Sequence, residues 1–131
     1  MRRNMSKFIM VVFSVCMLCI AAMWCRAGET RKTERTILNN LLNATEKNDY
    51  EAFLKDAGAE VKAALTKQML KGVSAQVAPR MKKGYEVIYF GALKQQGCKI
   101  YLWKLTYRDG SDDTLAKLVL KNGKVAGFWL Q

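Results

Sequence analysis

The sequence predicts an α+β domain, with N-terminal helices packed on one face of a curved four-stranded antiparallel meander sheet. Three observations predict it. Apolar side chains recur at helical spacing through the first half of the chain that follows residue 33. From Tyr85 onward β-branched and aromatic residues alternate with polar ones. Three turn signals, Gln95-Gln96-Gly97, Asp109-Gly110 and Asn122-Gly123, divide that stretch into four runs.

The helical half begins at Thr33. Ile37, Leu38, Leu41 and Leu42 share one face of a first helix. Asn48-Asp49 ends it and caps a second, Tyr50 to Lys55, because a short side-chain oxygen satisfies free helix-terminal amides. Ala57-Gly58 is a further break. Glu60 to Lys71 reads as a third helix that buries Val61, Ala64, Leu65, Gln68 and Met69 and stops at Gly72. Val73 to Met81 reads as a short fourth helical turn limited by Pro79. Gly84 closes this half.

The strands are expected at Tyr85 to Lys94, Cys98 to Arg108, Thr114 to Lys121 and Lys124 to Leu130. Directly opposed residues share a sheet face, so the turns assign the faces. A two-residue turn at Asn122-Gly123 sets Leu120 against Val125, Leu118 against Gly127 and Ala116 against Trp129. Asp109-Gly110 sets Trp103 against Ala116 and Tyr101 against Leu118. A three-residue loop at Gln95-Gln96-Gly97 sets Tyr89 against Trp103, Val87 against Leu105 and Gly91 against Tyr101. The helix-facing side is then Tyr85, Val87, Tyr89, Leu93, Tyr101, Trp103, Leu105, Tyr107, Ala116, Leu118, Leu120, Val125 and Trp129. The other side carries Ile88, Phe90, Ala92, Ile100, Leu102, Val119, Ala126, Phe128 and Leu130, interrupted by Glu86, Lys104, Lys117 and Lys121.

Each face suggests a surface. Tyr89, Tyr101, Trp103 and Trp129 are candidate ligand-binding residues, since aromatic rings with polar handles line small-molecule pockets. Phe90, Ile100, Leu102, Val119 and Phe128 form a candidate interface, because about 50 residues of helix cover one sheet face and hardly two. A homodimer through that outer face, or another partner docked on it, is the expected arrangement, beside a small-molecule or protein ligand.

Composition removes several chemistries. The chain has no histidine, which excludes His/Cys zinc sites and Cys–His nucleophiles. Cys98 begins a strand and reads as a structural thiol. Asp109, Ser111, Asp112 and Asp113 read as a solvated acidic turn rather than a cation site. No phosphate-binding glycine loop and no nucleic-acid motif is present, so the expectation is no metal, no cofactor and no nucleic-acid partner.

The N-terminus has the pattern of a secretory signal peptide over residues 1–27. Arg2, Arg3 and Lys7 precede an apolar run from Phe8 to Trp24, and Cys25-Arg26-Ala27 offers a cleavage site after Ala27; Ala22 is the alternative. The mature domain is then 28–131, secreted or periplasmic, with a membrane-anchored form as the alternative if the segment is retained. Membrane contact is expected only through that segment. Cleavage removes four of the 22 basic residues and none of the 11 acidic ones, so the net charge falls from +11 to +7. Cys98 is the one cysteine left, and the domain must stand on its core.

Residues 33–131 resemble the nuclear transport factor 2-like, or cystatin-like cone, superfamily, and particularly small secreted bacterial domains of unknown function built on that plan. The resemblance rests on Asn48-Asp49-Tyr50-Glu51-Ala52-Phe53, the Gly84-Tyr85 entry, Gln96-Gly97, Tyr101-Leu102-Trp103-Lys104 and the terminal Gly127-Phe128-Trp129-Leu130. It implies a helix-covered, bent sheet that can hold a pocket. The superfamily includes isomerases, dehydratases, hydrolases and binding domains, so the fold alone selects none of them. The missing histidine removes any His–Asp dyad of its enzymes. The leading expectation is a non-catalytic module for a small ligand or a protein partner. The alternative is a cone-fold enzyme of isomerase or hydrolase type using a carboxylate and a tyrosine. A pocket carboxylate with a raised pKa would separate the two.

Intact-mass analysis of the exported protein is expected to give a chain that starts at Gly28. A mass that retains residues 1–27 would contradict the signal-peptide reading.

Overall fold

The computed structural model describes residues 33–131; the expected signal peptide lies outside them. A first helix, α1, covers residues 33–47. Ile37, Leu38, Leu41 and Leu42 are all buried, as their spacing predicts. Thr45 is buried with them, and its hydroxyl donates to the Leu41 carbonyl at 2.8 Å, which removes the cost of an orphan donor. Asn48 ends α1 in the left-handed region at φ 53°, and the Asp49 amide returns to the Ala44 carbonyl at 2.8 Å. Asp49 then caps α2 (Tyr50–Leu54) by accepting from the Ala52 amide at 3.0 Å.

The helix expected over Glu60 to Lys71 is two helices, α3 (Ala59–Ala64) and α4 (Lys67–Met81). Leu65 is extended between them. The Tyr50 hydroxyl donates to the Leu65 carbonyl at 2.8 Å, and the Thr66 hydroxyl caps α4 by accepting from the Met69 amide at 3.1 Å. These two bonds, the first tertiary and the second local, compete successfully with a continuous helix. The break rotates the faces. Met69 is exposed, α3 buries nothing, and α4 buries Leu70, Ser74, Val77, Ala78 and Met81. Gly72 does not stop α4, and Pro79 sits in its last turns on the exposed side.

Four strands follow: β1 (Tyr85–Gln95), β2 (Cys98–Tyr107), β3 (Thr114–Lys121) and β4 (Lys124–Leu130). They form one antiparallel sheet in sequence order. The β2–β3 register is as the sequence predicts: Tyr101 opposes Leu118 and Trp103 opposes Ala116. The connection, however, is longer than two residues. It runs over 108–113, and Asp109 organises it by accepting from the Ser111 amide and hydroxyl at 3.0 and 2.6 Å.

The other two ladders each contain one residue that the turns do not predict. The β1–β2 turn is the two-residue Gln96-Gly97, with φ 50° and 75°, so Gln95 opposes Cys98. Phe90 is then unpaired, and its insertion restores Tyr89 opposite Trp103 and Val87 opposite Leu105. Between Phe90 and the turn every face is reversed. Ala92, not Gly91, opposes Tyr101, and Leu93 opposes Ile100 on the outer side.

In β4, Asn122-Gly123 forms the expected turn, with Leu120 opposite Val125. Ala126 is then unpaired, so Gly127 opposes Val119, Phe128 opposes Leu118, Trp129 opposes Lys117 and Leu130 opposes Ala116. Trp129 therefore leaves the helix-facing side, while Phe128 and Leu130 join it. The Phe128 ring packs 6.1 Å from that of Phe53. The bulge coincides with a change of partner. On its free side Val125 donates to the Asp56 carbonyl and accepts from the Gly58 amide, and these bonds tie the start of the β4 edge to the segment before α3. Gly58 allows that approach, because a Cβ there would stand 3.2 Å from the Val125 oxygen.

The helix-facing side and the helices enclose one apolar core, with Leu38, Leu42, Leu70, Met81, Leu105, Leu118 and Val125 at its centre. Leu118→Ala is expected to cost about 2–5 kcal/mol as a buried leucine truncation. Leu93→Ala, on the reversed segment, should cost about 0.5 kcal/mol or less, as for a surface change. Urea titration of both variants checks the assignment; comparable losses would return Leu93 to the core.

Candidate functional site

Tyr101 and Trp103 are core residues. Their rings stack at 5.8 Å and 27°, and Trp103 is 3% exposed. Tyr89 tilts against Trp103 at 5.7 Å but is itself exposed. Three of the four predicted ligand-site aromatics are thus together. Trp129 is not with them; it lies on the opposite sheet face.

That outer face is the more distinctive surface. Reading across the strands, one row holds Gly91, Leu102, Lys117 and Trp129, and the next holds Leu93, Ile100, Val119 and Gly127. Phe90 stands at the edge of the first row, and Ile88 begins the row with Lys104 and Leu115. Phe90 is 61% exposed, Leu93 53%, Trp129 49% and Ile88 42%. Leu102 and Val119 are half-buried between them, whereas Ile100 is buried. Of the predicted interface residues, Phe90, Ile100, Leu102 and Val119 are on this face, and Phe128 is not. The sequence reading missed Leu93 and Trp129 here. Gly127, two residues from Trp129 on the same face, leaves a slot for the indole, since a Cβ there would collide with the ring; the two share a face in either register, so the sequence carried no signal of the exchange.

Lysines interleave with these residues. The Lys117 ammonium lies 5.1 Å from the Trp129 ring centre. Lys104 pairs with Asp113 at 3.2 Å. Lys121 and Lys124 face each other at the Asn122-Gly123 end. Glu86 is the acidic residue on the β1 side.

The acidic loop is turned toward partners of its own. The Ser111 hydroxyl and amide, aided by Lys83 at 3.6 Å, hold Asp109 below its ordinary 3.8. Asp113 is also lowered, by the neighbouring Thr106 hydroxyl and by Lys104. The Thr106 hydroxyl lies outside strict hydrogen-bond geometry with any partner, so the Lys104 pair is the firmer contact. Among the described residues no three His, Cys, Asp or Glu side chains are grouped to hold a metal ion.

A shallow basin of about 520 Å³ lies beside the α1–α2 junction and the start of α4. Lys47, Lys67 and Lys71 line it together with Asp49 and Glu51, so it presents no single charge sign. The Lys67 ammonium is 5.7 Å from the Tyr50 ring centre. The chain matches no protein-family profile and no curated protein.

Both shifted aspartates have lowered folded-state pKa values. Their contribution to stability is therefore present above the ordinary value near 3.8 and is lost as pH falls through the folded values. Thermal melts from pH 5 downward should show a smaller acid loss in the Asp109→Asn/Asp113→Asn variant than in the wild type. An unchanged acid loss would show that other carboxylates govern it.

Proposed function

We propose that this chain is a secreted or periplasmic, non-catalytic binding module that docks a partner on the outer face of its sheet. The observation that carries this is the exposure of Phe90, Leu93, Trp129 and Ile88 on one sheet surface, with Leu102 and Val119 between them. Apolar residues scattered singly are ordinary on a surface, but a contiguous group rimmed by charge marks an interaction site. Helices followed by a four-stranded meander also suit the nuclear transport factor 2-like resemblance, in which binding domains are common.

The enzymatic reading has less support. A general base working near neutral pH needs a raised carboxylate pKa, and the two displaced carboxylates, Asp109 and Asp113, are both lowered. Tyr101 is packed into the core rather than presented to a substrate. A homodimer through this face would bring together two surfaces that each carry Lys117, Lys121 and Lys124, and their shared sign weighs against that contact.

A photo-cross-linking side chain at Phe90, expressed in the full chain, is expected to form adducts in the producing cell. The same probe at Gln76, on the exposed side of α4, should form few. Equal labelling at the two positions would remove the outer face as the working surface.

A further inference from the structure

We propose that the occupant of the outer face is an anionic lipid bilayer surface, against which Phe90, Leu93 and Trp129 enter the headgroup layer while the lysines meet lipid phosphates. The inference rests on the reading that this face docks a partner and names that partner's chemistry.

The layout spreads exposed apolar side chains across the whole width of the sheet. Phe90 and Leu93 project from the β1 edge and Trp129 from the β4 edge, with Leu102 and Val119 between. Four strands place the two edges about 14 Å apart, from three inter-strand spacings of roughly 4.8 Å. The most exposed side chains are thus at the two edges of the sheet, and the half-buried ones lie between them.

The residue types suit the boundary between water and hydrocarbon. Tryptophan pairs an apolar ring with one polar N–H and favours that boundary. The Lys117 ammonium lies over the Trp129 ring, 5.1 Å from its centre, so a cation and an indole share one spot on this face. Lys104, in the row beside it, is already paired with Asp113.

Charge decides among the occupants. Lys117, Lys121 and Lys124 outnumber Glu86 on this face, Lys104 being paired with Asp113, and the chain after residue 27 carries +7. A second copy brings like charge against like. An apolar protein groove would bury Lys117 in the middle of the patch without a counter-ion, which is costly. Lipid phosphates lie just above the acyl boundary, where that ammonium would sit, and basic residues there add to apolar insertion. The chain also carries the apolar run Phe8 to Trp24 shortly before Thr33. If that run is retained in a bilayer, the short linker after it keeps the domain within about 30 Å of the surface at full extension.

The test uses the full chain with Trp24→Phe and vesicles with brominated acyl chains, which quench tryptophan on contact. One set is pure phosphatidylcholine; the other replaces one part in three with phosphatidylglycerol. Quenching and a blue shift of Trp129 emission are expected in the anionic set alone. Trp103, read in a Trp129→Phe partner variant, should be unaffected because it is buried. Lys117→Glu/Lys121→Glu should lower partitioning roughly ten-fold or more, and Phe90→Ser/Leu93→Ser should also weaken it. Near-UV circular dichroism checks that the variants fold; if one does not, the comparison of the two vesicle sets on unaltered side chains still decides. Equal Trp129 quenching in both sets, or none in either, overturns the proposal. In the latter case the Phe90 cross-linker separates the causes: protein adducts leave the docking reading standing with a different occupant, and no adducts sink both.

Discussion

A β-strand presents its side chains with a period of two, so one inserted residue exchanges the faces of everything beyond it. Phe90 in β1 and Ala126 in β4 are such insertions, and the functional surfaces depend on them. Near the Phe90 bulge the two effects almost cancel. The tighter Gln96-Gly97 turn shifts the ladder one way, and the bulge shifts it back, so Tyr89 and Val87 still face the helices. Only the segment between turn and bulge is reversed, and that places Leu93 outside. In β4 no second insertion follows Ala126, so Phe128, Trp129 and Leu130 are all exchanged.

This exchange links core and surface. Phe128 joins Phe53 beneath the helices, and Trp129 is turned outward over Gly127 and beside Lys117. The bulge sits where Val125 takes its second set of backbone bonds from Asp56 and Gly58. Those two bonds occupy the outward amide and carbonyl of Val125, at the start of the β4 edge. The same local arrangement thus ties β4 to the segment before α3, completes the core and supplies the outer face with its largest exposed ring.

Much of this plan was legible in the sequence. The Ile37, Leu38, Leu41 and Leu42 stripe marked α1, and Asn48-Asp49 marked both its end and the next cap. Asn-Gly and the β2–β3 register were also readable, because left-handed turn residues and opposed side chains leave local signals. The bulges were not readable, since neither Phe90 nor Ala126 departs from the composition of the strand around it. The break at Leu65-Thr66 was missed for a different reason. It depends on the Tyr50 hydroxyl reaching Leu65 from an earlier helix, a tertiary contact that periodicity cannot display. The ligand-site aromatics were three-quarters gathered by register alone, and the outer face kept four of its five predicted residues; the losses, Trp129 and Phe128, both follow Ala126.

The exchange in β4 is most directly measured by the nuclear Overhauser contacts of the Trp129 indole in solution. The account predicts contacts to Gly127 and Lys117, with the Phe128 ring showing its own contacts to Phe53. Indole contacts from Trp129 to Ala116, Tyr101 or Trp103 would place it beneath the helices, and would contradict both the bulge and the surface built on it.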